Sequence, residues 1–99
     1  MKALVNLQVI PIGTAVSVSE YIAACGAILK EAGLETELHA NGTNIEGEWD
    51  TVFEAIRRCH ERVHEMGAPR IQTLISVGTR TDKPQSLSDK VESVRRRGN

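Results

Sequence analysis

The chain has 99 residues, 40% of them hydrophobic and 25% charged, with a formal net charge of −1. That balance describes one ordinary globular domain and excludes a disordered tail. It also argues against non-specific nucleic-acid binding, which requires many phosphates to be neutralised together. The run Arg95, Arg96 and Arg97 reads as the solvated cationic end of a helix, a placement the helix dipole favours.

The opening apolar run is broken at Asn6 and Gln8, so it fits neither a secretory signal nor a membrane span. Alternation over residues 3–12 predicts a first strand, closed by Pro11 and Gly13. Ser17 and Glu20 form a capping-box pattern. Behind it Val18, Ile22, Cys25, Leu29 and Ala32 recur at helical spacing, and Gly33 ends the run. Residues 34–40 alternate again as a second strand. Asn41-Gly42 predicts a tight turn, and residues 43–48 a return strand.

A second helix is expected over 49–66, with Val52, Phe53, Ile56, Cys59, Val63 and Met66 inward. Gly67 and Pro69 stop it. Residues 70–79 predict a fourth strand. A polar loop around 82–85 then leads to a short helix that Ser86 and Asp89 are suited to start, with Leu87, Val91 and Val94 as its apolar stripe. The cysteines, Cys25 and Cys59, form no metal-binding or redox spacing, so both are expected as small buried side chains in a reducing cytoplasm.

The element order is β-α-β-β-α-β-α. It predicts a single α+β domain over residues 1–99, a ferredoxin-like four-stranded antiparallel sheet with helices on one face. Strand parity sends Val5, Leu7, Val9, Leu34, Leu38, Ile45, Ile71, Ile75 and Val77 towards the helices. The opposite face receives Leu4, Asn6, Gln8, Ile10, Glu37, His39, Asn41, Glu46, Gln72, Leu74 and Ser76. Amides, carboxylates and an imidazole beside three aliphatic side chains suit a face partly covered by another subunit and partly left to hold a ligand.

Catalytic patterns are weak. His60-Glu61-Arg62-Val63-His64 matches H-E-x-x-H on a helix, which would place two imidazoles one turn apart for zinc with Glu61 as base. The remaining histidine, His39, lies upstream on a strand, so no third ligand follows from spacing, and the motif reads as accidental. No nucleophile elbow, Gly-rich phosphate loop or dinucleotide fingerprint occurs. The pairs Glu35/Glu37 and Glu46/Glu48 share strand faces but read as solvated carboxylates. The residues predict no catalysis and no cofactor.

Several segments in order resemble a family of small thiamine-binding proteins. They are Val9-Ile10-Pro11-Ile12-Gly13-Thr14, Val18-Ser19-Glu20-Tyr21-Ile22 and Asn41-Gly42-Thr43-Asn44-Ile45-Glu46-Gly47-Glu48-Trp49-Asp50, then Cys59-His60-Glu61 and Gly67-Ala68-Pro69-Arg70-Ile71. Arg80-Thr81-Asp82-Lys83 and Leu87-Ser88-Asp89-Lys90-Val91-Glu92-Ser93-Val94 complete the series. The resemblance implies a ferredoxin-like fold, a homodimer or homotetramer with sheet faces packed together, and binding of thiamine or its hydroxymethylpyrimidine moiety without conversion. With that ligand in view, Asn6, Gln8, Glu37, His39, Asn41, Thr43, Glu46 and Ser76 become the candidate ligand-binding residues, and Arg70 and Arg80 candidates for a phosphate. The alternative is a non-catalytic, homo-oligomeric interaction or regulatory module whose open sheet face serves only assembly.

Overall fold

In β1 (Lys2–Ile12) the side chains of Ala3, Val5, Leu7, Val9 and Pro11 are buried. Leu4, Gln8, Ile10 and Ile12 on the other side are half-buried, and Asn6 is exposed. The computed structural model, which describes residues 1–14 and 18–98, gives β1 neighbours on both sides. The sheet order is β2-β3-β1-β4, with β2 (Glu35–His39), β3 (Gly42–Glu48) and β4 (Arg70–Gly78) all antiparallel to their neighbours. This is the ferredoxin-like order read from the sequence.

The helices α1 (Ser19–Glu31) and α2 (Trp49–Glu65) cover one face. Cys25 and Leu29 of α1 meet Val52, Ala55, Ile56, Cys59 and Val63 of α2 over Ala3, Val5, Leu7, Val9 and Ile45. Burial of these aliphatic groups is the main stabilising term, at roughly 1.5–3 kcal/mol for each fully buried large side chain. Cys25 and Cys59 are both free thiols, and the Cys59 thiol reaches the Cys25 carbonyl at 3.8 Å. Its neighbour Cys25 and its burial push that thiol's pKa up, which keeps it protonated.

Two local expectations need correction, and a third falls outside the described residues. Ser17 lies outside the described residues; α1 begins after Val18, which makes no side-chain cap, and Tyr21 and Ile22 donate to its carbonyl instead. The hairpin turn is Ala40-Asn41, and Gly42 already belongs to β3, paired with His39. Leu38, Ile75 and Val77 have helix-side parity yet remain 69%, 39% and 40% exposed, because α1 and α2 leave the edge strands β2 and β4 uncovered there.

The short helix α3 (Leu87–Arg95) lies on the face opposite α1 and α2. A full capping box starts it: the Asp89 N–H donates to Ser86 Oγ (3.1 Å) and the Ser86 N–H to Asp89 Oδ2 (2.9 Å). These bonds hold the Asp89 carboxyl below its ordinary pKa. No residue of α3 is buried, and Val91 and Val94 are 50% and 58% exposed. Its tie to the sheet is the Leu87 N–H, which donates to Glu46 Oε1 at 2.8 Å.

Candidate functional site

Antiparallel pairing aligns side chains of one face in rows across the strands. On the open face one row runs Glu37–Asn44–Asn6–Ser76, through all four strands. The next row towards the start of β1 is Glu35–Glu46–Leu4–Gly78. Helix α3 stands over these rows, leaving a groove of about 520 Å³ lined by Leu4, Asn6, Glu37, Asn44 and Ser76 below and by Leu87, Val91 and Glu92 above. The groove floor therefore offers amide donors and acceptors, a hydroxyl and a carboxylate within one row.

The hairpin orients one of these groups. The Asn41 N–H donates to His39 Nδ1 (3.2 Å), so the His39 proton lies on Nε2, which donates to Asn6 Oδ1 at 3.0 Å. The acceptor of the Asn6 amide is thus engaged within the protein, and its NH2 group, with no partner among the described residues, is left as a donor. Gly42 makes this approach possible. It adopts φ +154°, and a Cβ there would stand 2.7 Å from the Leu7 carbonyl oxygen and 2.9 Å from Asn6 Oδ1.

Of the eight sequence candidates, Asn6, Glu37 and Ser76 share the groove row. His39 lies one row further along the same face and holds the Asn6 amide oxygen through its Nε2–H. Glu46 faces the groove but is occupied: besides the Leu87 N–H, its carboxylate holds Lys2 Nζ at 3.2 Å, and its side chain is 17% exposed. Its place is structural, fixing the start of α3. Gln8 keeps open-face parity, opposite Leu74 and one row beyond Asn6, outside the groove lining, whereas Asn41 and Thr43 line a second cavity of about 300 Å³, between α1 and the β2–β3 hairpin, with Leu7, Val9, Ile22 and Leu38. Thr43 pairs with Leu38 and Leu7, which gives it helix-side parity and separates it from the open-face row. Asn44 is the groove residue that the sequence reading left out. Its parity with Glu46 was the available signal.

Arg70 and Arg80 do not converge. Arg70 begins β4 opposite Ile12, whereas Arg80 follows the strand's other end, beside Leu4 and Gly78. Arg80 clamps Asp82 through two bonds of 2.6 Å and reaches Gln85 Oε1 at 2.8 Å. The guanidinium holds the Asp82 carboxyl down to about 2.

A sequence model described as thiamine-binding protein matches residues 5–95. The chain belongs to the thiamine-binding protein family. A relative from Synechocystis, UPF0045 protein sll0230, is 55% identical over 94 residues, spanning 95% of this chain and 78% of its own. The crystal structure of the hypothetical protein MJ1052 from Methanocaldococcus jannaschii superposes with a TM-score of 0.88 at 27% identity, covering 94% of this chain and 95% of its own. A Thermotoga maritima protein provisionally assigned to thiamine biosynthesis or salvage shares the fold, with a TM-score of 0.81 at 17% identity over 95% and 99% of the two chains.

In this thiamine-binding family member the H-E-x-x-H residues are committed to packing. His60 Nε2 lies 2.6 Å from Thr73 Oγ1, and the His64 Nδ1–H donates to the Ala68 carbonyl (2.8 Å). Glu61 pairs with Arg57 at 2.9 Å. The two rings sit edge to face with centroids 6.4 Å apart. Among the described residues no group of three His, Cys, Asp or Glu is placed to hold a metal, and no helix is long and apolar enough to cross a membrane.

Burial, and then the His64 charge, lower the His60 pKa from its model-peptide value of 6.5. A lowered histidine pKa means the unfolded chain binds the proton more readily, so stability rises with pH up to about 6.5 and falls on acidification below it. Urea midpoints should accordingly drop between pH 7.5 and 5.5. His60→Gln, which keeps a polar partner for Thr73, should flatten that difference.

Proposed function

We propose that this protein binds thiamine, or its hydroxymethylpyrimidine moiety, in the groove between the open sheet face and α3, and releases it unconverted. The observation that carries this reading is the row Glu37–Asn44–Asn6–Ser76, a line of four hydrogen-bonding side chains under a helix. An aminopyrimidine presents ring-nitrogen acceptors and an exocyclic amine. The NH2 of Asn6 suits a ring nitrogen, and the Glu37 carboxylate suits the amine or the thiazolium charge. Membership of the thiamine-binding family supports the ligand class.

The same reading places the protein in the cytoplasm as a homodimer or homotetramer. Leu74 is 50% exposed on the open face, and Leu4 and Ile10 are half-buried there, a distribution that packing against a second sheet would cover. Light scattering on the purified protein measures the copy number directly.

Calorimetric titration with thiamine and with hydroxymethylpyrimidine tests the function. Saturable heat with either, weakened by Glu37→Gln, is the expected result. A folded oligomer that gives no heat with both ligands would leave the open face to assembly alone.

A further inference from the structure

Beyond the groove, the loop joining β4 to α3 borders a further recess of about 780 Å³. Its lining carries four cations, Lys2, Arg80, Lys83 and Lys90, against one carboxylate, Asp82. Two of the cations are neutralised locally: Lys2 by Glu46, and Arg80 by Asp82. Lys83 and Lys90 have no ion pair among the described residues, so the recess retains a surplus of positive charge. Around it, Asp89 keeps its negative charge while capping α3 and interacts with Lys2, and Glu92 lines the groove, so the surplus rests on Lys83 and Lys90. The Thr79 and Thr81 segments line the same recess and add hydroxyl groups beside the lysines. The Arg80–Asp82–Gln85 clamp gives the loop a fixed shape from which Lys83 projects.

The recess and the groove adjoin, since Leu4, Gly78 and Lys90 border both. From the Asn6 row to the Leu4 row is two strand residues, about 7 Å, and two more reach Lys2. A ligand whose ring lies over Asn6 would therefore direct a substituent of a few bonds into the basic recess. A diphosphate, with its charge and acceptor oxygens, matches two unpaired ammonium groups and two hydroxyls.

We infer that the recess bounded by Lys83 and Lys90 is a phosphate subsite, and that the preferred ligand carries a phosphate or diphosphate tail. The position of the ring rests on the function proposed above; the phosphate subsite itself rests on the recess and its charge.

The test titrates the whole protein with thiamine, thiamine diphosphate and inorganic pyrophosphate at low and at high salt. At low salt the diphosphate should bind about tenfold tighter than thiamine, an advantage that shrinks in high salt as the charges are screened. Lys83→Gln should leave thiamine affinity unchanged and weaken the diphosphate about threefold, and Lys83→Gln with Lys90→Gln should abolish most of the preference. Pyrophosphate alone should bind, and the double variant should lose it while retaining the wild-type melting temperature. Equal affinity for thiamine and its diphosphate, or a preference that survives in the double variant, overturns the inference. If no thiamine compound binds, the function proposed above falls; pyrophosphate binding that the double variant loses would still uphold the subsite, and absence of pyrophosphate binding would remove it too.

Discussion

Gly42→Ala will unfold the hairpin end of the sheet at lower denaturant and abolish ligand binding in the same variant. The added methyl group has no room: it would meet the Leu7 carbonyl oxygen at 2.7 Å, Asn6 Oδ1 at 2.9 Å and the His39 ring at 3.5 Å. The backbone at φ +154° is also one that a side chain strains, at a cost on the order of 1–3 kcal/mol. Relief requires β3 to move away from β1, which breaks the pairing of Leu7 with Thr43, or requires the Asn6 amide to swing aside. Either movement dismantles the His39–Asn6 contact. Urea denaturation measures the first effect and calorimetry the second. Gly33→Ala, where a Cβ meets nothing within 4 Å but the backbone is strained at φ +81°, is the control. It should lose stability without losing affinity.

Asn6→Ala should reduce affinity for hydroxymethylpyrimidine on the order of tenfold, since one directional hydrogen bond in the groove is removed. Stability should change little, because Asn6 is exposed and points away from the core. Asn6→Asp separates two roles of the side chain. It retains the oxygen that accepts from His39 Nε2 but replaces the NH2 donor with an acceptor. Using the neutral pyrimidine avoids the attraction between the new carboxylate and the thiazolium. Asn6→Asp should then bind as poorly as Asn6→Ala. If it binds as well as the wild type, the Asn6 donor makes no ligand contact.

Strand alternation and helix spacing made most of the fold legible. Val5, Leu7 and Val9 alternate with Leu4, Asn6 and Gln8, and each set lies on one face of β1. Parity also put Asn6, Glu37 and Ser76 together, although they are far apart in sequence. Thr43 shows the limit of choosing a residue for its functional group alone. Its hydroxyl was grouped with the ligand residues for its hydrogen-bonding chemistry, while its parity with Ile45 turns it towards the helices. Gly42 was read as a turn residue, but its role is the close approach of three strands.

The position of α3 was not legible, since nothing in its own sequence tells which sheet face the loop after Gly78 returns it to. That single unknown governed much of the site. It converts Glu46 from an open acceptor into the anchor of Leu87, and it creates the groove and the basic recess. Arg70 and Arg80 were offered together for a phosphate, yet they stand at opposite ends of β4, and a nine-residue strand holds its two ends far apart.

The most direct measurement is a backbone amide NMR titration of the isotope-labelled protein with thiamine. Saturable shifts are expected at Asn6, Asn44, Ser76 and the first turn of α3, with the α1–hairpin cleft around Ile22 and Thr43 unmoved. Shifts confined to that cleft, or none anywhere at millimolar thiamine, would contradict the placement of the ligand on the open face.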